Sequence, residues 1–324
     1  MAGIGPGDTI AADPTGDLLM RYQRIDLNLL IALDALLAER NVTRAAERLH
    51  MTQPTMSGVL ARLRDYFADP LLVPVGRAMR LTPRAESLIK PVREIILKVD
   101  STLGVRPEFE PSTAQRQFIV IASDYVCTVL LDEVLRRVAE QAPGITFDVR
   151  PSAADMAEDL EQQRADFLVT PAHLVMAEHP HDVLFEDTYH VLAWADHPEL
   201  REGLTLELYQ ALGHVAYLNG KGPHNPWFDQ WYANQHGDTR RLEVNVHGFA
   251  LIPRMLVGTR RIATLQTRLA RQFAQVLPLR LHEPPMQTPR LTEVLQWHRY
   301  RDEDPGVQWV RARIAEAAAA LPPL

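Results

Sequence analysis

From Asp26 the apolar positions fall on a helical repeat. Leu30, Leu33 and Leu37 share one stripe, and Asp26 is placed to cap their first turn. Asn41 interrupts the stripe. Thr43 then caps a short second helix with Ala45, Ala46 and Leu49 apolar, and Thr52 caps a third. Pro54 is tolerated in that third helix because a first turn has no internal partner for the missing N–H. Met56, Val59, Leu60 and Leu63 follow at i, i+3, i+4 and i+7. Two extended runs, 71–73 and 79–81, flank Gly76 and predict a small hairpin. Thr82-Pro83 starts a long helix. Its Leu88, Val92, Ile95 and Val99 step by four, three and four, the spacing of a coiled-coil seam, and Pro91 is expected to kink it. The breaker-rich stretch 104–113, GVRPEFEPST, ends the helix and marks a domain boundary.

Beyond that boundary strands and helices alternate. Strands are predicted at 118–122, 145–149 and 167–169, with helices at 125–141 and 154–163 between them. Later strands fall near 190–194, 214–218, 242–246, 262–265, 279–282 and 291–297, and a last helix at 306–320. Repeated βαβ units predict an α/β fold with largely parallel sheets. Residues 1–20 have no periodicity. The organisation read from the pattern is a disordered tail (1–23), a helical domain with a hairpin (24–82), a linker and dimerisation helix (83–104) and an α/β domain (114–324).

A chain of 324 residues suits two or three domains, and its 46% hydrophobic and 23% charged content is that of an ordinary globular protein. A single cysteine, Cys127, excludes an internal disulfide or a cysteine-built metal site. No run approaches the roughly 18 apolar residues of a membrane span. The N-terminus has neither a basic region nor an apolar one of a secretory signal, so a cytoplasmic location is expected. The net charge of −7 argues against nucleic acid as a partner, until its distribution is considered. Residues 21–103 carry 13 Lys and Arg against nine Asp and Glu, a net of +4 on a chain that is otherwise acidic. A basic front on an acidic body fits a small domain that meets phosphates, joined to one that does not.

Two short helices with a tight turn, a hairpin and a long helix make a winged helix-turn-helix. With Met56, Val59, Leu60 and Leu63 turned inward, Thr55, Gly58 and Arg62 face outward, and Gln53 and Ser57 lie near the N-terminal end. Small polar side chains let such a helix enter a major groove. Gln pairs with adenine edges, Ser with several bases, and the Thr55 methyl suits a thymine methyl. Thr43, Arg44 and Arg64 are placed for backbone phosphates, and Arg77 at the wing tip for a minor groove. Thr52 and Pro54, at the start of the reading helix, complete the set. Any three-helix bundle shows similar stripes, so periodicity by itself leaves DNA binding and a plain bundle both open.

The stretch DLNLLIALDALLAERNVTRAAERLHMTQPTMSGVLARLRDYFADPLLVPVGRAMRLTP resembles the N-terminal domain of LysR-type transcriptional regulators over nearly its whole length. Its most specific part is AAERLHMTQPTMS, followed by the wing and LTP. The LRDYF form resembles the branch of the NodD nodulation regulators and the activators of aromatic-compound catabolism. Two positions depart from the family: Arg64 replaces a usual glutamate, and Gly58 replaces a frequent basic residue. The resemblance continues through GHVAYLNGKG, VHGFALIPRML, RRIATLQTRLA and TEVLQWHRYRDEDPGVQWVR.

It implies a C-terminal half like a periplasmic binding protein, with two α/β lobes joined by crossing strands and a small-molecule effector between them. It also implies a homotetramer of two dimers paired through the 83–103 helix, binding to double-stranded operator DNA and contact with RNA polymerase. Open α/β sheets bind ligands beyond the C-terminal ends of their strands. Ser123 and Asp124 end one strand, and Thr170 and Pro171 another; by resemblance these line the first lobe. Leu218, Asn219 and Gly220 follow a strand of the second lobe, and Phe249, Ile252 and Pro253 begin a helix there. Polar groups beside Phe and Ile suit an aromatic ligand with one or two polar substituents. Ser123 and Asp124 equally fit a plain helix cap, and Phe249 ordinary core.

No motif calls for a cofactor or a catalytic set. Cys127 reads as core. In His179-Pro180-His181-Asp182 the proline breaks metal-ligand spacing. Gly220-Lys221-Gly222 lacks the phosphate-loop pattern, and there is no Gly-x-Ser-x-Gly or His-Glu-x-x-His. The expected function is a ligand-responsive, non-enzymatic transcriptional regulator for an operon that handles an aromatic compound. The rival is an α/β enzyme or solute-binding protein with an accessory helical domain.

Overall fold

The computed structural model describes residues 26–324 apart from 77, 104–108, 153–154, 218–225 and 238. The tail expected over 1–23 lies outside the described residues. Contacts divide the chain into two compact units, Met1–Val105 and Arg106–Leu324.

In the first unit α1 (Leu27–Glu39), α2 (Val42–Arg48) and α3 (Gln53–Phe67) precede a hairpin of β1 (Leu72–Val75) and β2 (Ala78–Leu81), and α4 (Pro83–Leu103) ends it. Asp26 caps α1, accepting the Leu29 N–H at 2.9 Å. The cap of α2 is Asn41 and not Thr43. Asn41 takes the extended backbone of a cap and accepts the Arg44 N–H at 3.0 Å, which puts Thr43 inside the helix. Thr52 caps α3 as its sequence predicts. Leu33, Ala45, Met56 and Leu63 are fully buried where the three helices meet. On α1 the buried stripe is Leu29, Leu33, Leu36 and Leu37, one residue off the expected start, and Leu30 is only half-buried. The hairpin pairs Leu72 with Leu81 and Val75 with Ala78. Gly76, at φ +63°, supplies the left-handed turn residue.

Helix α4 continues on both sides of Pro91. Its expected seam is divided. Val92 is buried in the unit's own core with Ala85 and Ile96, whereas Ile95 is 47% exposed. The cause is that α4 packs on α1, where Arg93 pairs with Asp34, so it needs an inward stripe of its own.

The second unit holds two five-stranded sheets. The first has the order β4-β3-β5-β12-β6, from β3 (Arg116–Ala122), β4 (Ile145–Pro151), β5 (Phe167–Pro171), β6 (His181–Asp187) and β12 (Leu291–Trp297). The second has the order β11-β7-β10-β8-β9, from β7 (Tyr189–Trp194), β8 (Gly213–Tyr217), β9 (Arg241–Val246), β10 (Arg261–Gln266) and β11 (Leu279–His282). The expectation of largely parallel sheets is corrected: both are mixed. Parallel β4-β3-β5 meets antiparallel β12, and parallel β9-β8-β10 meets antiparallel β7. The reason is the route of the chain. It leaves the first sheet at β6, with only Thr188 before β7, and returns to it through β12, and it is these two strands, β7 and β12, that run against their neighbours. Strand β6 carries no sequence signal. Its HDVLFED has three apolar residues among charges, because it is an edge strand with Val183 64% exposed.

The helices α5 (Asp124–Val126), α6 (Asp132–Gln141), α7 (Met156–Glu161), α8 (Leu206–Ala211), α9 (Trp227–His236), α10 (Thr267–Val276) and α11 (Pro305–Ala319) pack around the sheets. The helix predicted over 125–141 is interrupted by a wide π turn, Cys127–Leu131, where Thr128 Oγ1 donates back to the Asp124 carbonyl at 2.7 Å. Phe118, Phe167, Val310 and Ile314 are fully buried. Each such side chain stabilises by about 1.5–3 kcal/mol relative to exposure. Among the described residues no helix is long and apolar enough to cross a membrane.

Candidate nucleic-acid interface and effector cleft

Helix α3 buries Met56, Leu60 and Leu63, which turns Gln53, Pro54, Thr55, Gly58 and Arg62 to the surface. Gln53 Nε2 donates to Ser57 Oγ at 3.1 Å, so the two form one polar unit on the outward face. The Thr52 and Thr55 hydroxyls bond at 2.8 Å. A Cβ at Gly58 would meet no atom within 4 Å, so the surface there is open and flat.

The basic residues divide. Thr43 is exposed, and so is Arg44, whose guanidinium is steadied by the Glu39 carbonyl at 2.6 Å. Arg64, expected on a phosphate, has a structural role in the unit. Its Nε and Nη2 donate to the carbonyls of Pro70 and Leu72 at 2.8 and 3.0 Å, holding the approach to the wing against α3. A carbonyl pair accepts from an arginine, whereas a glutamate there would bring only further acceptors. Arg77 lies outside the described residues.

In the second unit Ser123 caps α5, accepting the Val126 N–H at 3.3 Å. With a first lobe built on the β4-β3-β5-β12-β6 sheet and a second on the β11-β7-β10-β8-β9 sheet, Asp124 reaches from the first lobe to the second, where its Oδ2 accepts the Ala250 N–H at 2.8 Å. Phe249 stands beside this bond. It lies edge-on to Tyr125 at 6.4 Å and to Tyr217 at 5.1 Å, which makes an aromatic wall drawn from both lobes. His173, on the turn after β5, stacks against Trp227 of the second lobe at 4.4 Å.

The remaining expected residues are less direct. Thr170 is 2% exposed within β5, with Pro171 half-buried beside it. Ile252 and Pro253 are buried, Ile252 in the second lobe's own core, so they support the wall and do not face the cleft. Residues 249–255 also form two 3₁₀ turns in place of the expected helix, as Pro253 cannot donate in a continuing α-helix. Leu218, Asn219 and Gly220 lie outside the described residues.

Sequence reasoning missed the floor of this region. Tyr125 donates to Asp187 at 2.6 Å, and Asp187 also accepts the Thr188 and Arg268 N–H groups. Burial raises the Asp187 pKa. Glu293 of β12 is pushed up to about 8, first by burial and then by the Asp187 charge. A tyrosine directly after Ser-Asp at a strand end was the available signal for Tyr125; nothing local marked Glu293. The His179-to-Asp182 run does not converge. Buried His179 bonds Glu161 at 3.0 Å and stacks on His298, while Asp182 pairs with Arg311. Among the described residues no group of three or more His, Cys, Asp or Glu is arranged to hold a metal.

Comparison with known proteins covers both units. Residues 27–86 match the bacterial regulatory helix-turn-helix protein family of lysR type, and 112–319 match the LysR substrate binding domain. The chain is similar to nodulation protein D 2 of Rhizobium tropici, 42% identical over 302 residues, covering 93% of this chain and 96% of that one. A solved structure described as a probable transcriptional regulator from Pseudomonas aeruginosa is 28% identical with a TM-score of 0.60, covering 92% of this chain and 98% of that one. A full-length OxyR variant from the same organism, 18% identical, covers 92% of this chain and 95% of that one, and shares the fold at a TM-score of 0.70.

Proposed function

We infer that this chain, which belongs to the LysR family of ligand-responsive transcriptional regulators, answers to a small aromatic effector held between its two lobes and controls an operon for an aromatic compound. The observation that carries this reading is the position of Phe249, edge-on to Tyr125 and Tyr217 beside the bond between Asp124 and Ala250. Phe249 and Tyr217, both half-buried, give a flat aromatic ligand rings to pack against, with buried Tyr125 backing Phe249, and the polar groups beside them fix its orientation.

At the other end of the chain, Gln53, Thr55, Ser57 and Arg62 read the operator, and Thr43 and Arg44 hold phosphates, with Arg77 reaching the minor groove from the wing. Thr52 and Pro54 set the start of the reading helix. Arg64 shapes the wing from beside α3. The chain works as a homotetramer of two dimers in the cytoplasm and contacts RNA polymerase. The effector acts by differential affinity for two lobe arrangements, which changes how the DNA-reading units are spaced.

The test is a reporter dose–response beside a gel shift. Phe249→Ala should raise the half-maximal concentration of an aromatic inducer roughly two- to tenfold, from the stacking part of the contact alone. Operator binding should persist, because the reading helix is in the other unit. A wild-type response from this variant would remove the effector from the cleft.

A further inference from the structure

Asp124 stands on the first lobe, yet its carboxylate is bonded to the second. The bond to the Ala250 N–H spans 126 residues of sequence at 2.8 Å. Gly248 makes room for it, since a Cβ there would lie 2.9 Å from the same oxygen. Asp124 is half-buried. Its charge is felt by the neighbouring Tyr217 phenol, whose pKa is raised by burial first and by Asp124 second. The amide donor that the second lobe turns to the cleft is thus already held by the chain's own carboxylate.

The geometry points to Asp124 as a latch between the lobes that also sorts effectors by charge: the cleft takes a neutral aromatic hydrogen-bond donor such as a phenol, and turns away an aromatic carboxylate. This rests on the reading that the effector lies beside Phe249. A carboxylate has acceptor sites on both oxygens, so a phenol O–H can donate to Asp124 while the Ala250 bond persists. An aromatic carboxylate has no proton to donate at neutral pH. It brings a second negative charge to a half-buried place, where like charges repel strongly. The residue that meets the ligand is therefore the one that joins the lobes, which supplies the differential contact that coupling requires.

Two measurements on the full chain test this. Hydrogen exchange at the Ala250 amide should be slow in the wild type and in Asp124→Asn, which keeps an acceptor oxygen, and about tenfold faster or more in Asp124→Ala. Unchanged exchange in Asp124→Ala overturns the latch. Calorimetric titration with 2-naphthol and 2-naphthoate, one ring system with two end groups, reads the charge filter. The wild type should favour the naphthol by about tenfold or more, and Asp124→Asn should bring the two near parity. Equal affinities in the wild type, an unchanged preference in Asp124→Asn, or no binding of either probe to either protein overturns the filter. Phe249→Ala should loosen whichever probe binds. If it loosens neither, the location of the effector in the cleft is what fails, and the exchange at Ala250 still decides the latch.

Discussion

Gln53 and Ser57 lie one turn apart and are bonded to each other, so their outward atoms are held before any DNA arrives. Pre-ordered side chains lose less freedom on binding. Gln53→Ala should cost about 1–3 kcal/mol at the specific operator and much less on random DNA. Gel shifts against both duplexes check this, and equal losses on the two would deny Gln53 a base-reading role. Arg64 shows the opposite case. A basic residue beside a DNA-reading helix suggests a phosphate contact, but the carbonyls of Pro70 and Leu72 claim it. Its partners are six and eight residues away and became neighbours only through the turn that brings the chain back to α3.

At the scale of the element, α4 has two apolar duties. Ala85, Val92 and Ile96 close the core of the first unit, while Ile95 presents a large apolar side chain to solvent. The four-three-four spacing read from Leu88 to Val99 merged these two stripes into one. An exposed apolar residue on a long helix suits pairing with a second copy. Ile95→Asp should abolish the dimer and with it operator binding, since the unit's own core is left untouched. Sedimentation that shows an unchanged mass would place the pairing surface elsewhere. Val92→Asp should instead unfold the first unit, as it puts an unpaired charge into a 3% exposed site.

Over the whole molecule, buried ionisable groups set how stability follows pH. Glu293 is pushed up to about 8 from an ordinary 4.5, with Asp187 and the Tyr125 and Tyr189 phenols as its titratable neighbours. Between those values the folded state holds a proton that the unfolded chain releases, so stability falls as pH rises through the window. His214 and His298 are lowered to about 4 from 6.5, chiefly by burial. Below 6.5 the unfolded chain takes up protons that the folded one refuses, and stability falls as pH drops. Urea titrations of the full chain across neutral pH should therefore show a decline on the alkaline side of up to about 1.4 kcal/mol per pH unit. Glu293→Gln should flatten that limb. An identical slope in the variant would mean that Glu293 is ionised in the folded state.

The sequence by itself determined the parts whose signal is local. Helical periodicity placed α1 to α4, cap chemistry placed Asp26 and Thr52, and βα alternation placed the strands that have core on them. The stretch from DLNLL to RLTP was long and specific enough to carry the family. What it left undecided depends on partners distant in the chain. Strand direction follows from the chain leaving the first sheet at Asp187 and returning at Leu291, a route that no window of residues encodes. The edge strand β6 lacks a buried face to alternate against. Asp124 and Ala250 meet because the two sheets fold side by side, and Tyr125 and Asp187 because β3 and β6, far apart in the chain, belong to one sheet. A side chain's type is written in the sequence, but a carboxylate's partner and a glutamate's charge are set by burial and by neighbours, and those exist only once the fold has formed.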